Sequence, residues 1–75
     1  MEGALQKVVG ENLKRYRQSM GWSQEKLAEE LGVHRTYAGG LERGERNLSL
    51  KSVERIADTL GLDPITLLTA LDSHS

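Results

Sequence analysis

Glycines at positions 21, 32, 44 and 61 each close a run whose apolar residues recur every three or four positions. This punctuation confines the chain to short helices. Val9, Leu13, Tyr16 and Met20 predict a first helix from about Leu5 to Met20. Ser23 stands as N-cap of a second, its hydroxyl free to bond an amide one turn on, with Leu27, Ala28 and Leu31 on the inner face. A third runs from about Arg35 to Glu42 with Tyr37, Ala38 and Leu41 inward, and a polar loop follows over 44–49. Ser49 or Leu50 opens a fourth, burying Val53, Ile56, Ala57 and Leu60. Asp63-Pro64, a cap followed by proline at the first helical position, opens a fifth over about 64–71 that carries Ile65, Leu67, Leu68 and Leu71. No run alternates like a strand. The expected fold is all-α, a compact five-helix orthogonal bundle occupying 1–75 as one domain. Its expected core is Leu13, Tyr16, Leu27, Leu31, Leu41, Val53, Ile56 and Leu60.

A chain of 75 residues buries only about 60% of its unfolded surface, so its stability is marginal. The absence of cysteine removes disulfides and thiolate metal sites, and His34 and His74 are too far apart to suggest zinc. Stability must come from helix packing or a partner subunit. No segment is apolar enough to span a bilayer and no signal-peptide core is visible, so a cytoplasmic protein is expected. The net charge of −1 argues against a polyanion partner, but the distribution does not. Lys7, Lys14, Arg15 and Arg17 lie near the start, and Arg35, Arg43, Arg46, Lys51 and Arg55 crowd 33–55. From Ile56 onward there are aspartates and no Lys or Arg. Such a chain can present a basic face to phosphates.

The segment from Ser23 to Gly44, SQEKLAEELGVHRTYAGGLERG, is the informative one. A short helix, a tight Gly32-Val33-His34 turn and another short helix cannot run parallel, so the second projects its N-terminus outward, where a major groove can accept it. The segment resembles the helix-turn-helix of the Cro/phage-repressor (Xre-type) family at Ser23, Gln24, Leu27, Ala28, Gly32, Val33, Leu41, Glu42 and Gly44. The resemblance extends over about 5–71 and implies a lambda-repressor-like domain that binds double-stranded DNA to regulate transcription. A narrower similarity, in His34-Arg35-Thr36-Tyr37, Leu41-Glu42-Arg43, Arg46-Asn47-Leu48 and Lys51-Ser52, is to the controller proteins of restriction–modification systems. It implies a small homodimer bound ahead of its own gene and the endonuclease gene.

The resemblance implies a role for each candidate. Arg35 and Thr36 open the recognition helix, where an arginine fork matches guanine O6 and N7 and a threonine offers a hydroxyl and a methyl. Tyr37 is within reach of DNA in the controller-like reading. Gln24 heads the second helix, where an amide and the helix N-terminus hold a phosphate. His34 caps the turn or meets a phosphate, and Arg43, Arg46, Asn47 and Lys51 touch the backbone or the minor-groove edge. Gly39 and Gly40 depart from the pattern: each costs about 1 kcal/mol against Ala in a helix, and position 40 lacks a base-reading side chain. Direct readout then narrows to the Arg35 end, and DNA shape supplies the rest.

Duller readings apply elsewhere. Tyr16 and Trp22 fall at core spacing rather than forming stacking platforms. Arg17 and Glu42 resemble a catalytic pair only superficially; in the family the equivalent positions form a buried ion pair joining the first and third helices. The last helix is more apolar than one buried stripe requires, so Ile65, Leu67, Leu68 and Leu71 are expected at a dimer interface, since two half-sites give useful affinity. An antitoxin-like protein that neutralises a protein partner is the alternative function. An enzyme is not expected: no carboxylate pair in a plausible pocket, nucleophile–base pattern or phosphate-binding glycine loop occurs. No cofactor, metal or small-molecule effector is implied.

Overall fold

The computed structural model describes residues 4–70. Five helices follow one another: α1 (Ala4–Ser19), α2 (Gln24–Leu31), α3 (Arg35–Glu42), α4 (Leu50–Leu60) and α5 (Pro64–Leu68), with no strand among the described residues. The last four begin at side-chain caps. Ser23 Oγ accepts from the Lys26 amide, His34 Nδ1 from Thr36, Ser49 Oγ from Ser52 and Asp63 Oδ1 from Ile65. Each cap satisfies an amide that the first helical turn leaves without a partner. At the end of α2, Gly32 takes φ +72°, a left-handed conformation costly for any side chain but free for glycine. Its amide and that of Val33 fold back on the last turn of α2, so the chain reverses within three residues.

Two apolar clusters hold the helices. Val9, Leu13, Leu41, Val53, Ala57 and Leu67 join α1, α3, α4 and α5, while Leu27, Ala28 and Ala38 lock α2 onto α3. Leu13, Leu27, Leu41 and Val53 are fully buried as expected. Tyr16, Leu31, Ile56 and Leu60 are half-buried instead, because in so small a bundle the helix flanks reach solvent. Met20 lies beyond the end of α1 and is 49% exposed. No helix among the described residues is long and apolar enough to cross a membrane.

The last helix departs most from expectation. It ends at Leu68, with Thr69 as C-cap, rather than continuing to 71; Leu71 lies outside the described residues. Leu67, expected at a dimer interface, is instead 1% exposed within the chain's own core. Leu68 is half-buried against the same cluster, and Ile65 points outward. Asn12 secures this arrangement from α1. Its Nδ2 donates to the carbonyls of Thr66, Leu67 and Thr69 at 3.3, 2.8 and 2.9 Å, satisfying acceptors at the end of α5.

Candidate nucleic-acid interface

The position of α3 is set by two contacts with α1. Gly10 passes so close that a Cβ built there would stand 2.3 Å from the Leu41 carbonyl oxygen and 2.7 Å from that of Glu42. Next to it, Arg17 and Glu42 form the ion pair expected of them. Arg17 Nε and Nη2 donate to the carboxylate at 2.6 and 3.2 Å, and Nη1 donates to the Trp22 carbonyl at 2.9 Å. The Glu42 side chain is 3% exposed. Gln24 Nε2 donates to the same carboxylate at 3.1 Å, so the amide expected to hold a phosphate is engaged inward, tying the head of α2 to the end of α3. Tyr16 and Trp22, both expected in the core, are half-buried and pack edge to face beside this junction, with centroids 5.7 Å apart.

Held in this way, α3 exposes only its beginning. Arg35 and Thr36 are exposed, Tyr37 is half-buried, and every residue from Ala38 to Glu42 is buried. His34 sits exposed at the cap, where its Nδ1 accepts the Thr36 amide at 3.0 Å, so it fixes the start of the helix. Arg35 Nη1 donates to Glu25 Oε2 at 3.0 Å. Both side chains are more than half exposed, and a pair so wet contributes at most about 1 kcal/mol, leaving Arg35 free to exchange Glu25 for another acceptor. Arg43 pairs in the same way with Glu45 at 3.1 Å.

After Glu42 the chain bends back along α3. The Glu45 amide donates to the Gly40 carbonyl at 2.9 Å. Arg46 thereby lies across the helix, its guanidinium carbon 5.1 Å from the centre of the Tyr37 ring, a cation–π arrangement. Asn47 and Lys51 are exposed on the loop and on the first turn of α4. The structure therefore brings Arg35, Thr36, Tyr37, Arg46 and the His34 cap to one helix. Gln24 turns inward, Arg43 is the C-cap of the helix, and Asn47 and Lys51 follow it in the chain as exposed side chains.

Three participants escaped the sequence reading. Gly10 carried a usable signal, since a glycine inside an apolar helical run costs stability unless something packs closely against it. Asn12, among apolar neighbours, was open to the same inference. Glu25 was not, because its partner lies across the turn and only the folded geometry joins them.

A family model described as helix-turn-helix (HTH_3) matches residues 13–67. The chain is 42% identical over 69 residues to the control protein C.BamHI of Bacillus amyloliquefaciens, spanning 91% of this chain and 85% of that one. A hypothetical transcription factor of Neisseria meningitidis is 39% identical over 67 residues, 89% of this chain but only 63% of the relative's length. The crystal structure of the Neisseria factor NHTF superposes with a TM-score of 0.78 at 37% identity, covering 93% of this chain and 80% of that one. The restriction–modification controller protein C.AhdI from Aeromonas hydrophila superposes with a TM-score of 0.70 at 40% identity, covering 83% and 94%.

Proposed function

Because this chain belongs to the helix-turn-helix (HTH_3) family of DNA-binding transcriptional regulators, we propose that it reads a two-fold operator as a homodimer, with the start of α3 in the major groove. The observation that carries this reading is the exposed Arg35–Thr36 pair at the head of a helix whose remainder is buried. Arg35 trades its wet contact with Glu25 for guanine, and Thr36 meets a thymine methyl or a phosphate. Arg43, Asn47 and Lys51 hold the backbone and set register, together with the amides at the head of α2. His34 and Gln24 act by keeping α3 and α2 in place.

One such module offers a small contact surface, so two copies on half-sites about one helical turn apart supply the affinity. Ile65, 64% exposed on α5, is the centre of the proposed dimer contact, with Leu68 at its margin. The controller proteins among the relatives support placing the operator ahead of a restriction–modification operon.

The test starts from a duplex selected out of random sequence by the wild-type protein. Arg35→Ala should lose about 1–3 kcal/mol on that duplex and little on a scrambled one, whereas Lys51→Ala should weaken both alike and lower the salt slope by about one. Sedimentation should give a dimer that Ile65→Asp dissociates. Equal loss on both duplexes for Arg35→Ala refutes the base-reading role, and a wild-type monomer at high micromolar concentration refutes the dimer.

A further inference from the structure

In an α-helix, residues four apart lie one above the other, so Gly39 and Gly40 continue the stripe begun by Arg35 and Thr36. The two glycines are not empty surface. A Cβ at Gly40 would stand 2.8 Å from Arg46 Nε and 3.3 Å from its Cγ, and one at Gly39 would stand 3.1 Å from Arg43 Nη1. Arg46 occupies the place a helix side chain would take. It is held there from two directions: the Tyr37 ring lies under its guanidinium, and the Glu45 amide anchors the loop to the Gly40 carbonyl. Arg46 itself remains exposed.

We propose that Gly40 is a specificity-determining position that acts through the side chain it lacks: the bare helix seats the loop-borne Arg46 over Tyr37, so that this guanidinium faces the groove beside Arg35 and Thr36. The inference rests on the DNA-reading role of α3 and makes Arg46 a reader of base edges where the loop position alone suggested a phosphate contact. A guanidinium stacked on an aromatic ring keeps its in-plane donors free, and holding it still reduces the entropy lost on binding. The cost of an intrinsically poor helix former at position 40 is then the condition for seating the arginine.

The experiment compares the duplexes that wild type, Gly40→Ala, Arg46→Ala and the double variant enrich from random sequence, and titrates each protein against the wild-type site. Gly40→Ala and Arg46→Ala should lose preference at the same base pairs, each with about a tenfold weaker operator complex. The double variant should bind no more weakly than Arg46→Ala alone, because both changes remove one interaction. A Cβ at position 40 displaces only the exposed side chain of Arg46 and no backbone, and alanine is the better helix former, so Gly40→Ala should melt no lower than wild type. A Gly40→Ala protein that keeps the wild-type consensus and affinity overturns the proposal, as does a double variant whose loss is the product of the single losses. A wild-type protein that enriches no sequence overturns the DNA-reading role along with it.

Discussion

Replacing Glu42 with alanine removes the carboxylate that accepts Arg17 Nε at 2.6 Å, Arg17 Nη2 at 3.2 Å and Gln24 Nε2 at 3.1 Å. With side-chain exposures of 14% for Arg17 and 3% for Glu42, the substitution leaves a guanidinium largely out of water. Breaking one side of a buried pair costs about 3–5 kcal/mol. Arg17 keeps its bond to the Trp22 carbonyl and some access to solvent, which places the loss near the lower end, at about 3 kcal/mol. A domain of this length has about 4–11 kcal/mol in all, so the variant keeps about 1–8 kcal/mol and loses between a quarter and three quarters of its stability. Heating monitored by circular dichroism should show Tm lowered by about 12–24 °C. Protein concentration must be matched, since self-association would add to the apparent stability. The double substitution of Arg17→Met with Glu42→Leu should recover part of the loss: removing both charges strands neither, but the Trp22 carbonyl and the Gln24 amide lose their partners. A loss below about 1 kcal/mol for Glu42→Ala would refute the reasoning, for it would show the pair already solvated.

Gly10→Ala tests the approach of α1 to α3: helix propensity favours the alanine by about 1 kcal/mol, yet a Cβ 2.3 Å from a backbone carbonyl must push the helices apart. Chemical denaturation should therefore show a net loss, and a gain would mean the helices separate freely. Asn12→Ala should lower the unfolding free energy by about 1–3 kcal/mol, and the denaturation midpoint with it, by stranding carbonyls at the end of α5. Asn12→Asp should be worse at neutral pH, since it sets a carboxylate against those oxygens; equal midpoints for the two variants would contradict the role given to the amide.

The helices and the helix-turn-helix were legible in the sequence because their determinants are local. Ser23, Ser49 and Asp63 cap amides within three residues of themselves, Gly32 and Gly61 terminate the helices they follow, and the apolar period of α2 and α3 marks their inner faces. The helix-turn-helix pattern is local too, so the sequence alone suffices to nominate Arg35 and Thr36, at the start of α3, as the proposed DNA-reading pair. The direction of α5 could not. A helix of five residues has too few turns for periodicity to separate its faces, and Ile65, Leu67 and Leu68 are apolar alike. Which of them turned inward was decided by the space left beside Val9, Leu13 and Val53, and by an asparagine 55 residues away that holds the Leu67 carbonyl. Arg46 obeyed the same logic: its sequence position placed it on a loop, and only the return of that loop over Gly40 laid it on α3. Local rules set where each helix starts and stops, whereas the partner of a side chain depends on which segments the packed core brings together, and that is a property of the whole chain.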